Sequence, residues 1–334
     1  MRAWIEPLLA IGLALLLAGG LLLGLGADPL AALAALARGA FGSAYALEST
    51  LTRAVPLCLV GLAVALAFRA GVWNIGGEGQ ICVGALVAAA LGTRALVGGP
   101  AAAQVSLVLL AGAAAGALWA GIAAWLRVSR GVSEVLSTIL LNFIALLGVA
   151  FAVHGPLQEA AGAYPQSDAL GAAARLPRLA GLERLHAAAP LALLLPGLAW
   201  LLLFRSAAGL RLRAVGLAPE AARYAGVSPP REVVRVLLIS GGIAGLAGAV
   251  EIAGVTARLF EGLSGGLGFT AIAVALLARL HPLAVIPAAL FFASLATGSG
   301  ALQRAAHVPK VLVQVIEALV IFLSVGFALR RGGR

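Results

Sequence analysis

The stretch AAQVSLVLLAGAAAGALWAGIAAWL, Ala102–Leu126, runs for twenty-five residues without one charged side chain. As a helix at about 1.5 Å per residue it outreaches the roughly 30 Å hydrocarbon core of a bilayer. Backbone amides in lipid have no water to bond, so such a run must satisfy them within its own segment as a helix. Similar runs recur outward in both directions, with candidate spans at 8–26, 54–70, 80–97, 102–126, 135–153, 188–204, 236–257, 268–280, 282–298 and 311–329. A membrane β-barrel would instead show alternating strands of about ten residues, and these runs of Leu, Ala, Val and Gly do not alternate. The reading is an all-α, polytopic transmembrane bundle of about ten helices, a single membrane domain over 1–334. The short, proline-punctuated pair in 268–298 reads as two spans or as a re-entrant hairpin, and the mildly apolar 28–50 as an interfacial segment.

Composition agrees: 62% of the residues are hydrophobic and only 11% charged, with a mean hydropathy of +1.06. The net charge of +10 comes almost entirely from arginine, Lys310 being the only lysine, and the arginines fall mostly between apolar runs. That is the signature of the positive-inside rule and not of a nucleic-acid surface. With the N-terminus inside, fourteen basic residues fall on inner segments and nine on outer ones, which favours both termini inside. Six of the inner arginines crowd into 205–235, which reads as a cytoplasmic loop; 154–187, rich in proline and mixed charge, reads as an external insertion. The first run, Leu8–Gly26, is expected to be a retained helix, since no clean small-residue cleavage site follows it. Cys58 and Cys82 fall in or beside spans, which argues against a disulfide framework.

Several functions drop out. A phosphate-binding G-x-x-x-x-G-K-[ST] loop is impossible with the one lysine in His307-Val308-Pro309-Lys310. Gly266-x-Gly268-x-x-Ala271 mimics a dinucleotide fingerprint but lacks a preceding strand. His154, His186, His281 and His307 are scattered without metal-ligand spacing. We expect no catalytic site, no metal and no cofactor. Gly112-x-x-x-Gly116 and Gly241-x-x-x-Gly245 are the kind of small-residue pairs that let membrane helices approach closely.

Three polar stretches remain. In the arginine-rich loop, Pro219 suits the first turn of a short helix, Glu220 its positive end, and Gly226 its termination. Such a helix could dock a soluble partner, or the loop could simply lie on the membrane surface. In Val72-Trp73-Asn74-Ile75-Gly76-Gly77-Glu78-Gly79-Gln80, three glycines in four positions break the helix where Asn, Glu and Gln are costly. Breaks of this kind are tolerated against protein or a watery pathway, or at a cytoplasmic turn. In Gly131–Ala145, Ser133 is placed to cap a helix with Glu134 in its first turn, and Asn142 then lies about two turns inside a span. There it lines a pathway or bonds a neighbouring helix. Glu251 and Glu317 lie in apolar runs with Gln314 nearby, the one feature that favours an ion-coupled secondary transporter.

The run from Leu212 to Val227, with its Glu-Ala-Ala and a glycine six residues after the Glu, resembles the coupling motif of ABC importer permeases. Its longer form resembles permeases for simple sugars, nucleosides and branched-chain amino acids. Asn74–Gln80 resembles the N-I-G-x-E-G-Q signature of nucleoside-type permeases, and Gly131–Ala145 the matching segment of the longer of their two permease subunits. The resemblance implies a non-catalytic, multi-pass subunit of a bacterial cytoplasmic (inner) membrane importer, surrounded by lipid. It implies a cytoplasmic ATPase docked on Glu220, Ala221, Ala222, Arg223 and Gly226, and a second, homologous permease forming a heterodimer. An external substrate-binding lipoprotein would deliver a nucleoside, with a simple sugar or branched-chain amino acid as alternatives. Asn74, Glu78, Gln80 and Asn142 are the expected substrate-binding residues.

Overall fold

The computed structural model describes residues 2–94, 100–306 and 311–332. Lys310 and His307, singled out above, lie outside them. Each of the ten expected spans overlaps a helix, the end of 80–97 lying outside the described residues: α1 Arg2–Gly24, α3 Ala44–Arg69, α4 Gly77–Gly92, α5 Ala101–Arg130, α6 Glu134–Val153, α7 Leu191–Arg205, α10 Pro229–Glu251, α11 Leu267–Leu277, α12 Val285–Ala306 and α13 Val311–Gly332. Among the described residues there is no strand, only two isolated bridges, Arg178 with His186 inside the insertion at 154–187 and Gln166 of that insertion with Phe260. Five helices are individually long and apolar enough to cross a membrane, or six if α7 and its continuation α8 (Ala207–Leu217), bent by 77°, count as one. This is fewer than the ten expected: α4 and α11, which follow glycine-rich breaks, reach only 16 and 11 residues, and the apolar parts of α1 and α13, Leu8–Gly24 and Val311–Leu323, are also short of a full span.

Residues 28–50 are mostly helical. In α2 (Pro29–Phe41) Asp28 caps the N-terminus, accepting from Leu30 N at 2.9 Å, with Pro29 at the first position. This helix packs on α12, where a Cβ on Gly39 would come within 2.5 Å of the Ala301 Cβ. Ser43 caps α3 by accepting from Ala46 N at 3.1 Å. α3 is then the axis of the bundle, buried continuously from Ala54 to Ala67.

The two small-residue motifs meet each other. A Cβ on Gly245 would stand 2.4 Å from Gly112 O, and one on Gly116 would stand 2.4 Å from Gly241 O. On its other side α10 takes α4 equally closely, a Cβ on Gly84 falling 2.2 Å from Gly245 O. In lipid no hydrophobic drive pulls helices together, so contact at backbone distance supplies the association.

α10 does not run out cleanly. It passes into one π turn, Ile252–Thr256, and stops at Ala257 with φ 54°. The segment 154–187 lies over this break and bonds its carbonyls: Leu176 N donates to Ala253 O, Leu170 N to Ala257 O and Ser167 N to Leu259 O, each at 2.8 Å. Arg258 pairs with Glu159 at 2.8 Å, and Glu48 of α3 accepts from the backbone N–H groups of Glu183 and Arg184 at 2.9 and 2.8 Å. The insertion is therefore a fitted cover rather than a free loop.

Candidate functional site

The four residues expected to bind substrate form one buried knot. Asn74 and Gln80 bond each other twice, Asn74 Nδ2 to Gln80 Oε1 at 3.1 Å and Gln80 Nε2 to Asn74 Oδ1 at 2.9 Å. Asn74 also donates to Ser240 Oγ of α10 at 2.8 Å, and Ser240 donates on to Ala63 O of α3 at 2.8 Å. Asn142 of α6 accepts from Gly79 N at 2.8 Å and donates to Ile75 O at 2.9 Å, so it closes the broken backbone between α3 and α4. Glycine is required at this seam: a Cβ on Gly79 would meet the Asn142 Cα at 2.9 Å.

Glu78 caps a second helix. Its carboxylate accepts from Ser264 Oγ at 2.6 Å, Gly266 N at 3.1 Å and Gly268 N at 2.7 Å. It sits in the first turn of α4 and at the start of α11, where free N–H groups and the helix dipole both favour an anion. The two N-termini can meet because Gly77 and Gly268 face each other; a Cβ on Gly268 would overlap Glu78 N at 2.2 Å. Asn74, Glu78, Gln80 and Asn142 are each 3% exposed or less. The structure brings all four together, with their hydrogen bonds spent on the protein.

The adjoining space is a cavity of about 780 Å³. Tyr45, Ser49, Thr52, Arg53 and Pro56 line one side, all on one face of α3. Glu251 at the end of α10 and the turn Ser264–Gly266 line another, and α12 and α13 contribute Thr297, Ser299, Gln314 and Glu317. Arg178 and Arg184 of the insertion reach in from above. None of the four knot residues lines the cavity; Glu78 touches its wall only through the Ser264–Gly268 turn that it holds.

In the arginine-rich loop, α9 (Pro219–Tyr224) is a six-residue helix, with Pro219 at its first position and Glu220 in its first turn. Gly226 follows at φ 81°, the left-handed conformation that ends a helix without strain only for glycine. Glu220 and Arg223 pair at 3.2 Å across an exposed face. Ala222 is buried against the body, while Ala221, Arg223 and Gly226 are exposed and Tyr224 is 94% exposed. Ser133 does not cap α6 through its side chain; Glu134 instead pairs with Arg127 and accepts from Trp73 N at 3.2 Å, so this end is fixed by charge.

The family model for the permease component of the branched-chain amino acid transport system matches residues 46–325. The chain belongs to that permease family. It is similar to the glucose ABC transporter permease protein of Haloferax volcanii, 38% identical over 97% of this chain and 88% of the relative. It is also similar to the guanosine ABC transporter permease protein of Bacillus subtilis, 36% identical over 97% and 94%. A third relative, the nucleoside ABC transporter permease protein of Lactococcus lactis, is 30% identical over 98% and 92%. No solved structure matches the chain. As a permease it is a multi-pass inner-membrane subunit and not an enzyme.

Sequence reasoning missed most of the permease's cavity. Glu251 and Glu317 stood out as intramembrane acids, but Thr52, Arg53 and Thr270 gave no signal. Only the eleven-residue spacing from Tyr45 to Pro56 along one helix face could have gathered them.

Proposed function

We propose that this permease is one of two homologous membrane subunits of an ATP-driven importer for a nucleoside. The observation that carries the reading is α9: a short helix, seated by Ala222 and otherwise presented to solvent, in a segment whose sequence resembles the coupling motif. Its exposed Glu220, Ala221 and Arg223, closed off by Gly226, are the surface on which a cytoplasmic ATPase docks. The chain itself has no phosphate-binding loop, so hydrolysis belongs to that partner. About ten crossings with both termini inside fit the arginine distribution and place α9 in the cytoplasm and the insertion outside, where a substrate-binding lipoprotein delivers its load.

A nucleoside is favoured by the Asn74–Gln80 signature and by the names of the guanosine and nucleoside relatives. The 38% identity to a glucose permease keeps a simple sugar as the second reading. In either case Asn74, Glu78, Gln80 and Asn142 serve the substrate indirectly, by fixing the break that backs the cavity wall. Uptake of radiolabelled guanosine by cells carrying the complete importer tests the coupling surface. Glu220→Lys or Gly226→Val should abolish ATP-driven uptake with the permease still present in the membrane at normal levels. Normal uptake by both variants would remove α9 from the mechanism.

A further inference from the structure

The cavity contains three groups that the fold does not use. Thr52 Oγ1 has no hydrogen-bond partner although the residue is only 8% exposed. One turn on, Pro56 lacks an N–H, so the Thr52 carbonyl is also denied its ordinary helical donor. Among the described residues Arg53 and Glu251 make neither a hydrogen bond nor a closed ion pair, yet they act on each other as charge neighbours. Buried polar groups are ordinarily paired, and unpaired ones at membrane depth are costly. Thr52 Oγ1 is such a group, and the exposed Arg53 beside it and the half-buried Glu251 on another side open into the same cavity without a hydrogen bond, so the three together point to an occupant.

The other charged groups above the cavity are already committed. Arg178 donates to the carbonyls of Arg184 and Gly254 at 2.6 and 2.8 Å. The Arg184 guanidinium lies 4.5 Å over the Tyr45 ring. That contact also covers the aromatic face at the mouth, and Phe292 is wholly buried with Phe291 edge-on at 5.4 Å. One face of the Tyr45 ring is therefore taken by Arg184, and Phe292 offers none. What remains is the Glu251 carboxyl and the Arg53 guanidinium, both lining the cavity, with the hydroxyls of Thr52 and Thr270 lining it as well. Neighbouring hydroxyls, each both donor and acceptor, fit that arrangement; an anion would meet Glu251 and a cation would meet Arg53.

We propose that this cavity is the solute chamber of the permease, in which Thr52, Arg53 and Glu251 grip the vicinal hydroxyls of a neutral sugar ring. The ring is free or carried by a nucleoside. A volume of about 780 Å³ is in the range of small-molecule sites. The assignment rests on the importer reading, and the experiment separates the two.

Ser49→Cys, which lines the same wall one turn from Thr52, is placed in the complete importer as a reporter for a membrane-impermeant thiol reagent. The native Cys58 and Cys82 are buried and stay silent. Guanosine should slow labelling about tenfold, the scale of hydrogen bonds to charged groups, and 2′,3′-dideoxyguanosine should not. Protection by ribose or glucose in place of guanosine identifies a free sugar as the source. Independently, Glu251→Gln and Arg53→Gln should each reduce uptake about tenfold at unchanged membrane levels. Equal protection by guanosine and its dideoxy analogue, protection by none of these solutes, or wild-type uptake by both variants overturns the chamber. Failure of the wild-type system to take up any of them overturns the importer reading instead, while protection by a hydroxylated solute still supports the chamber.

Discussion

The knot around Asn74 and the cavity beside Thr52 both place polar side chains among membrane helices, and they treat them oppositely. In the knot, Asn74, Glu78, Gln80 and Asn142 spend their hydrogen bonds on backbone, on one another and on the hydroxyls of Ser240 and Ser264, tying the α3–α4 break to α6, α10 and α11. In the cavity, Thr52, Arg53 and Glu251 are left over. A polar group at membrane depth therefore has two possible meanings, and satisfaction is what separates them. A group that completes a broken backbone belongs to the frame; a group that the frame does not consume is available to a solute.

Removing Glu78 should have the largest effect on the frame. Glu78→Ala strands the Ser264 hydroxyl and the N–H groups of Gly266 and Gly268, three donors at a cost of ~1–3 kcal/mol each, so a loss of at least about 3 kcal/mol is expected. Thermal unfolding of the detergent-solubilised permease should show a large fall in Tm, with a smaller one for Glu78→Gln, which keeps one acceptor. A wild-type Tm for Glu78→Ala would mean that α11 does not need this cap, and the distinction between frame and chamber would lose its firmest example.

The cover above the cavity adds a pH-dependent effect of intermediate size. His186 is fully buried against Gly254, where a Cβ would come within 2.6 Å of the ring, and neither ring nitrogen has a partner. Burial, with the Arg178 charge second, pushes its pKa down to about 4. When the insertion lifts off, the imidazole recovers an ordinary value near 6.5 and binds a proton that the closed form refuses. The closed cover is thus fully stable above about 6.5 and loses roughly 1 kcal/mol per pH unit as pH falls from there toward about 4. Proteolysis at 178–187 in proteoliposomes should accelerate between pH 7 and 5 in wild type and stay flat in His186→Leu. A flat wild-type profile would show that His186 remains enclosed when the insertion opens.

The frame was far more legible in the sequence than the chamber. Glycine runs and misplaced amides mark a break wherever they occur, so Asn74–Gln80 and Asn142 could be singled out without a structure. The mates Gly112-x-x-x-Gly116 and Gly241-x-x-x-Gly245 were visible as motifs, although nothing in one dimension said that they meet. Pro219, Glu220 and Gly226 spelled out α9 because capping is local chemistry. What the sequence did not disclose was who satisfies whom. Glu78 finds its partners some 186 residues away at Ser264, and Thr52 has none. Both are facts about three-dimensional closure, which no local pattern of residues carries. The helix at 29–41 escaped for a different reason: its alanine-rich sequence is apolar enough to be buried but too short to announce a span.

The smallest stability effect is the sharpest test of the distinction. Thr52→Val keeps the shape of the side chain and deletes only a hydroxyl that bonds nothing in the protein. If the hydroxyl were part of the frame, losing it would destabilise, as at Glu78. Because it is buried and unpaired, its removal lifts a desolvation cost, and the Tm should stay level or rise by the equivalent of about 1 kcal/mol. Transport should move the other way, since the solute loses the partner that the protein had withheld from itself. A variant that gains stability while losing uptake is the expected pattern for a residue kept in a strained state for function. If Thr52→Val instead unfolds at a lower temperature, the hydroxyl has a partner in the assembled importer, and Thr52 belongs with Asn74 in the frame.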